Sequence, residues 1–403
     1  MRDLCNCCTL ISLTYFCILL QYIRAHIQSV IEHYEGGLPL THFLRNYFRL
    51  HPKLGSRDRK ILSEMAYCWY RCSKAVDASV PFFERLGICL FLCETSLPQV
   101  RAFIPEPLRE GGSDLEEKKS LLKRLGISFR PDAIAPFSVE LSEGISYEAW
   151  QLSMLRQPRL FIRTRKDEGK VLTILQGAGI TFQQVRDHCL SLPNGTAVDK
   201  LLPPELYVVQ DASSQATGDL LNPRSGESWW DCCSGAGGKS LLLKDLEPRV
   251  NLTVSDKRPT ILSNLAERFR LYGHRPQSSL AVDMSEPAAL YTALKSRSFD
   301  GIIADVPCTG SGTWFRTPEQ LYHFRQTTIT QFSALQKQIA LNAAAYLRQG
   351  GKMVYITCSI FREENEEVVS GLAQEGGLKV VQSGLINGLE IGADCMFAAV
   401  LRK

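Results

Sequence analysis

The chain has 403 residues, of which 45% are hydrophobic and 22% are charged. This balance excludes a disordered chain, and the length indicates two or three domains. The formal net charge is only +4, so the overall charge is a weak argument for a nucleic-acid partner.

The cysteines and the first residues bear on the compartment. Fourteen cysteines are scattered along the chain, and a chain of this size needs no disulfide framework, so we expect a reducing, cytoplasmic environment. Cys5 and Cys8 form one CxxC pair, but no second pair or nearby histidine completes a zinc site, and we expect no metal. The apolar segment 9–23 is shorter than the roughly 20 residues of a membrane span. We interpret it as the first helix of a helical domain, with a signal anchor as the lesser alternative.

Residues 10–125 have a helical pattern. Its clearest part begins at Ser56, which can cap a helix. A stripe of apolar side chains then recurs at helical spacing and predicts one buried face. The stripe consists of Ile61, Leu62, Met65, Ala66 and Trp69.

Residues 145–205 change in character and indicate a small α+β module. A strand is predicted at Arg159–Thr164 and a helix at Asp167–Leu175. Basic residues outnumber acidic ones by eight to two in 41–75 and by seven to three in 150–190. Such stripes can neutralise phosphates, although a solvated helix or sheet face is an equal alternative.

From residue 206 onward, short apolar runs alternate with helical stretches such as 261–272 and 335–347. This alternation predicts a parallel, doubly wound sheet, whose ligands bind beyond the carboxyl ends of the strands. The predicted strands are Ser228–Cys232, Leu252–Ser255, Leu280–Val282, Phe299–Ala304 and Lys352–Thr357.

A glycine-rich turn, Asp231–Ser240, follows the first of these strands and opens a helix. Helix amides and glycines let a ligand approach closely, and NAD, a phosphate or S-adenosylmethionine would each fit such a turn. The usual dinucleotide and P-loop spacings are absent. Asp256 ends the second strand and suits a ribose diol, unless it caps the helix from Pro259. Asp283 ends the third strand and could accept from an adenine amino group.

Two cysteines follow the fourth and fifth strands. Asp305 leaves the fourth strand just before Cys308 and a glycine turn, and Cys358 follows the fifth strand. One such cysteine would be interpreted as a small buried hydrophobe. Two of them, at strand ends where catalytic residues collect, indicate a catalytic pair.

These strings resemble motifs of the RsmB/Fmu (Sun)-type RNA cytosine-5 methyltransferases of the NOL/NOP/Sun family. Five elements occur in the family's order over residues 206–403. Val209–Gln215 resembles "V-Q-D-x-A-S-Q", Asp231–Ser240 resembles "D-x-C-A-A-P-G-G-K-T", Asp305–Gly312 resembles "D-A-P-C-S-G-x-G", Thr357–Ser359 with Asn365-Glu366 resembles "S-T-C-S" and "x-E-N-E", and Ala393–Ala399 resembles "x-D-G-F-F-x-A". The sequence departs from the family in the loop, where Ser234-Gly235-Ala236 replaces Ala-Ala-Pro.

The resemblance implies a Rossmann-like methyltransferase domain at 206–403. A small α+β RNA-binding module at 141–205 and an all-helical NusB-like domain at 1–140 would precede it. It implies that Cys358 is the nucleophile, that Cys308 assists product release and that Asp305 holds the cytosine edge. S-adenosylmethionine would be held by Cys233, Ser234, Gly235, Ala236, Gly237, Gly238, Lys239, Asp256, Asp283 and Asp305.

The function so implied is transfer of a methyl group to carbon 5 of a cytosine in RNA. Small-subunit ribosomal RNA is the favoured target, and transfer RNA stays open. We expect a cytoplasmic monomer without a membrane partner. The alternatives are a non-catalytic RNA-binding ribosome-assembly factor, a methyltransferase acting on protein or DNA, and a nicotinamide dehydrogenase, which would have no use for two cysteines.

Overall fold

The computed structural model describes residues 20–95, 97–112 and 114–403. Cys5, Cys8 and most of the apolar segment 9–23 lie outside these residues. Within the described part, no helix is long and apolar enough to cross a membrane. The described residues form two compact units. One comprises the described residues up to 137 with 150–157 and 314–324, and the other comprises 138–149, 158–313 and 325–403.

The first unit is helical. A helix through 20–33 is followed by Leu40–Leu50, Ser56–Cys72, Phe82–Leu92 and Leu115–Arg124, by part of Tyr147–Ser153, and by the late helix Pro318–Tyr322. All five side chains of the predicted apolar stripe are buried. The predicted cap is wrong by one residue. Ser56 is the first helical residue, because Gly55 is the cap and its N–H donates to the Asp58 carboxylate at 3.0 Å.

The second unit begins its regular structure with a small antiparallel sheet. Its strands are β1 (Leu160–Thr164), β2 (Gln183–Arg186), β3 (Cys189–Leu192) and β4 (Tyr207–Val209), in the order β2-β3-β1-β4. Helices Glu168–Gly177 and Val198–Leu201 accompany it, and Ile162, Val171 and Leu190 lie in its core. The predicted strand and helix at 159–175 are confirmed. The division into three domains stays a prediction.

The same unit contains a seven-stranded sheet. Its strands are β5 (Ser228–Asp231), β6 (Asn251–Asp256), β7 (Ser278–Ala281), β8 (Phe299–Asp305), β9 (Leu347–Thr357), β10 (Lys379–Asn387) and β11 (Cys395–Arg402). The order is β10-β11-β9-β8-β5-β6-β7, in which the neighbours from β9 to β7 are parallel and β11 is antiparallel to both β9 and β10. The predicted doubly wound α/β domain is thereby confirmed.

Helices cover both faces of this sheet. They are Ala212–Ala216, Gly218–Leu221, Gly238–Leu246, Pro259–Leu271, Pro287–Leu294, Thr327–Ala344 and Glu366–Gly376. Successive residues of a strand point to opposite faces, and accordingly Trp229 and Trp230 lie in two separate hydrophobic clusters. The inner strands β5, β6 and β8 are almost entirely buried and therefore mainly apolar, whereas the edge strands β7 and β10 are largely exposed.

Candidate active site

Cys308 and Cys358 meet at the carboxyl edge of the seven-stranded sheet. Cys308 follows β8, Cys358 follows β9, and these two strands are neighbours. Their sulfur atoms lie 3.2 Å apart, and both residues are partly exposed. The hydrogen bond with Cys358, burial and the nearby Glu364 charge all raise the pKa of the Cys308 thiol well above its usual value. The structure therefore brings together the two cysteines that the sequence singled out.

Asp305 lies at the end of β8 and is held by a lysine from the glycine turn. The Lys239 ammonium lies 3.3 Å from Asp305 Oδ2 and donates to Ser214 Oγ at 2.8 Å. The lysine side chain is 7% exposed and that of Asp305 is 32% exposed. The buried Lys239 ammonium therefore orients the Asp305 carboxylate, which remains accessible to solvent.

The hydrogen bonds continue behind Ser214 into the small sheet. Gln210 donates to Ser214 Oγ at 3.3 Å, and Arg163 Nε donates to Gln210 Oε1 at 3.0 Å. The residues Gln210 and Ser214 belong to the Val209–Gln215 segment, but sequence reasoning gave them no role. Their position in this segment was the indication in the sequence that they have a role, but it did not show that they support Lys239.

The glycine turn connects β5 to the helix Gly238–Leu246. Gly237 has φ +82°, and a Cβ there would lie 2.9 Å from Leu265 and 3.0 Å from Phe269. Only glycine meets both demands without strain. Gly235 has φ +50° and donates its N–H to Asp256 at 3.2 Å. The turn and the end of β6 are therefore joined directly.

A cavity of about 410 Å³ opens beside this turn. Among the predicted cofactor residues, Cys233, Asp256, Asp283 and Asp305 line it, whereas 234–239 do not. Its apolar wall consists of Val282, Met284, Val306, Pro307, Phe332, Leu335 and Ile339. The volume is that of a small-molecule site. Carboxylates at three strand ends beside an apolar wall fit the hydroxyls, amino group and ring of an adenosine.

Two of these carboxylates already have partners. Asp256 is paired with the Arg258 guanidinium at 3.0 and 3.1 Å, a contact that sequence reasoning missed. Asp256 also accepts from the Arg258 N–H, but Arg258 itself is the cap of the helix from Pro259. Asp283 accepts from the Ser285 N–H and hydroxyl at 2.9 and 2.7 Å. These bonds counter the cost of burial and lower the pKa of both carboxyls.

Asp231 lies beneath the turn and is 1% exposed. Its Oδ2 accepts from the Ser240 hydroxyl at 2.6 Å. Burial, with the charge of Asp305, outweighs this bond and raises its pKa to about 7. The residue therefore supports the turn from inside the domain.

Only some of the basic residues in 150–190 lie on the surface of the protein. Arg163 and Arg165 contact the Asp245 carboxylate at 2.7 and 2.6 Å, and their side chains are 8% and 4% exposed. His274 contacts the same carboxylate at 3.0 Å. These arginines stabilise the packing of the small sheet on the helix Gly238–Leu246. Lys166 and Lys170 remain exposed.

Residues 219–395 match the family model described as 16S rRNA methyltransferase RsmB/F. "Ribosomal RNA small subunit methyltransferase B" of Yersinia pseudotuberculosis serotype O:1b is 32% identical over 166 residues, which are 41% of this chain and 38% of that protein. The protein of the same name from Yersinia pestis bv. Antiqua matches to the same extent. The match thus spans about two fifths of the length of these curated relatives.

Two solved structures show the fold. "PH0851" has a TM-score of 0.68 at 18% identity and covers 94% of this chain and 98% of its own. NSun6 from Pyrococcus horikoshii, solved with SFG, has a TM-score of 0.54 at 17% identity and covers 62% of this chain and 92% of its own.

Proposed function

Residues 219–395 form a methyltransferase domain of the RsmB/F family, and from this premise we propose that the chain methylates carbon 5 of a cytosine in RNA, with S-adenosylmethionine as the methyl donor. Small-subunit ribosomal RNA is the proposed target, since the matching relatives carry that name. The observation that carries the proposal is the 3.2 Å approach of Cys308 and Cys358 beside Asp305 and the cavity.

The donor fits the residues present. Asp256 would hold the ribose hydroxyls, Asp283 the adenine amino group, and Met284 with its apolar neighbours the ring. When bound, S-adenosylmethionine would supply an electrophilic methyl group, and its S–CH3 bond would break to leave S-adenosylhomocysteine. The loop change at Ser234-Gly235-Ala236 removes no polar side chain from the cavity, because 234–239 do not line it.

The chemistry needs a nucleophile because carbon 5 of cytosine is poorly nucleophilic. The Cys358 thiolate adds to carbon 6, a C–S bond forms, and the electron pair of the C5–C6 double bond becomes available at carbon 5. In its protonated form, Asp305 accepts from the amino group of the ring and delivers its own proton to N3 as the adduct forms. Lys239 keeps that carboxyl in place.

Release reverses the addition after carbon 5 has taken the methyl group. A base removes the carbon-5 proton, the C5–C6 double bond re-forms, and the C–S bond breaks so that Cys358 leaves as a thiolate. Cys308 assists this step from its position beside Cys358. The proton on N3 returns to Asp305. The target base must leave any stacked helix to reach the cysteines, so we propose a single-stranded or loop cytosine as the substrate.

The test is methyl transfer to defined RNAs. The purified chain is incubated with tritiated S-adenosylmethionine and transcripts of 16S rRNA or transfer RNA, with a DNA oligonucleotide as a further arm. We expect label in 16S rRNA as 5-methylcytidine, located by bisulfite sequencing, and none with Cys358→Ala. Label in transfer RNA or DNA alone would reassign the substrate, and binding of RNA without any transfer would indicate a non-catalytic factor.

A further inference from the structure

Glu364 is a buried acid that the proposed reaction does not use. It ends the one-turn helix Arg362–Glu364 and is 0% exposed. Its carboxylate nevertheless has a full set of donors, all within 2.9 Å. They are the Thr309 N–H at 2.9 Å, the Thr309 hydroxyl at 2.5 Å, the Ser359 hydroxyl at 2.5 Å and the Gln336 amide at 2.8 Å.

The donors belong to the two cysteine loops. Thr309 directly follows Cys308, and Ser359 directly follows Cys358. A single carboxylate therefore ties together the residues that come after both cysteines. Since the loops leave different strands, their register depends on contacts of this kind.

Gln336 extends the same arrangement to the other side of Cys308. Its amide also donates to the Pro307 carbonyl at 2.9 Å, and the residue is 0% exposed. The Tyr355 hydroxyl donates to the Glu364 backbone carbonyl at 2.7 Å and fixes the acid from β9. The peptide around Cys308 is thus held on both sides, before the cysteine through Gln336 and after it through Glu364.

Burying a carboxylate is costly unless its oxygens are fully hydrogen-bonded. A serine or an apolar residue could be buried there at lower cost, but neither could hydrogen-bond to both loops at once. The acid also lies beside Cys308, where its charge favours the thiol form. Each of these properties acts on the cysteines and not on the cofactor cavity, which Glu364 does not line.

We propose that Glu364 is a positioning residue that holds the Cys308 and Cys358 loops in register. The effect of Glu364 on catalysis rests on the proposed function. The clamp, meaning the hydrogen bonds between the Glu364 carboxylate and both loops, is a property of the free protein. It acts through Thr309 and Ser359, and it touches neither substrate nor donor. A displacement of about 1 Å at reacting groups costs about 100-fold in rate, so loss of the clamp affects turnover more than donor binding.

The test measures the rate at which the Cys308 and Cys358 thiols form a disulfide. Diamide, which takes up the two thiol hydrogens as the S–S bond forms, closes a Cys308–Cys358 disulfide in the full chain without RNA, and peptide mass mapping follows its rate. We expect Glu364→Ala and Glu364→Asp to slow this closure by about 10-fold or more, and kcat by about 100-fold, with KM for S-adenosylmethionine unchanged. Glu364→Gln should stay within about threefold of the parent, because its carbonyl can accept from the Thr309 N–H while its amide faces the two hydroxyls.

Glu363→Gln is the matched control. Glu363 is the adjacent acid and accepts from Ser333 at 3.2 Å, away from both loops, so this variant should close the pair at the parent rate. If Glu364→Ala fails to fold, as judged by thermal melting, the Glu364→Asp variant tests the proposal instead. Ser359→Ala removes only the hydrogen bond from the Ser359 hydroxyl to Glu364, and we again expect slower disulfide formation. Closure at the parent rate in the folded variants would overturn the proposal. Failure of the proposed function is a separate result, seen as absence of methyl transfer by the parent chain.

Discussion

The sulfur atoms of Cys308 and Cys358 lie 3.2 Å apart although 50 positions separate the two residues. Under the proposed function, this distance would let both sulfurs reach one pyrimidine carbon, and the two cysteines would then have different roles. Adjacent parallel strands create this approach, because their carboxyl ends meet at one edge of the sheet. Asp305, at the end of β8, brings the carboxylate to the same edge.

The division of work predicts opposite results for two alanine variants. Cys308→Ala should form the Cys358–cytosine bond and release product slowly, so that a covalent protein–RNA adduct accumulates. The adduct is measured as a shifted band on denaturing gels after incubation with RNA and S-adenosylmethionine. The double variant Cys308→Ala, Cys358→Ala is the control and should form none. An adduct that requires Cys308 and survives Cys358→Ala would reverse the two roles.

Lys239→Met should remove the ion pair that orients the Asp305 carboxylate. The variant loses the ammonium 3.3 Å from the carboxylate, and kcat/KM should fall by about 100-fold or more, since preorganised charge is lost. Ser214→Ala removes one hydrogen bond of Lys239 and should cost roughly fivefold, or about 1 kcal/mol. Lys337→Met, which breaks only an exposed ion pair with Glu375, is the control. Methylation kinetics equal to the control for Lys239→Met would contradict this support.

Gly237→Ala should destabilise the domain. The new Cβ would meet Leu265 at 2.9 Å and Phe269 at 3.0 Å at a backbone φ of +82°. We expect a loss of about 2–3 kcal/mol in the free energy of unfolding by urea. Gly238→Ala is the neighbouring control, because no atom lies within 4 Å of its Cβ. A similar loss in both variants would indicate that helix initiation matters and that the contact with the helix Pro259–Leu271 does not.

The strands and the cysteine pair could be predicted because both follow from local rules. Apolar runs mark buried parallel strands, and their carboxyl ends locate Cys308, Cys358 and Asp305 together. The partners of the charged groups could not be predicted in this way. The local charge of 150–190 indicated a basic stripe, but the carboxylate that neutralises Arg163 and Arg165 is Asp245, 80 or more residues away. Charge counting along the chain does not show such pairings.

Asp231 should make the stability of the protein fall as the pH rises. Its ordinary pKa is 3.8, and burial raises it to about 7 in the folded chain. Below pH 3.8 the group is protonated whether the chain is folded or unfolded, so its stabilising contribution is fully present. Between these values only the unfolded chain releases the proton, so stability is lost by up to about 1.4 kcal/mol per pH unit.

Asp231→Asn keeps the size of the side chain and cannot ionise. Its free energy of unfolding should therefore fall less than that of the parent between about pH 4 and about pH 7. Urea titrations of both proteins at several pH values in this range measure the difference. Because Glu364 is retained in both, its own raised pKa cancels in the comparison. Parallel stability curves would contradict an elevated pKa at Asp231.

RNA binding should depend on the exposed lysines of 150–190 and not on the buried arginines. Lys166→Ala and Lys170→Ala should each reduce the slope of log affinity against log salt by about 0.7 to 0.9, as expected when one phosphate contact is lost.

Arg163→Met should leave this slope unchanged, because Arg163 is 7% exposed and its guanidinium is bound to Asp245 and Gln210. Its removal should instead lower the free energy of unfolding by about 3 kcal/mol, as for a broken buried ion pair. Filter binding at several KCl concentrations, with urea unfolding of the same samples, separates the two effects. A reduced salt slope for Arg163→Met without loss of stability would place that arginine on the RNA and not in the packing of the small sheet.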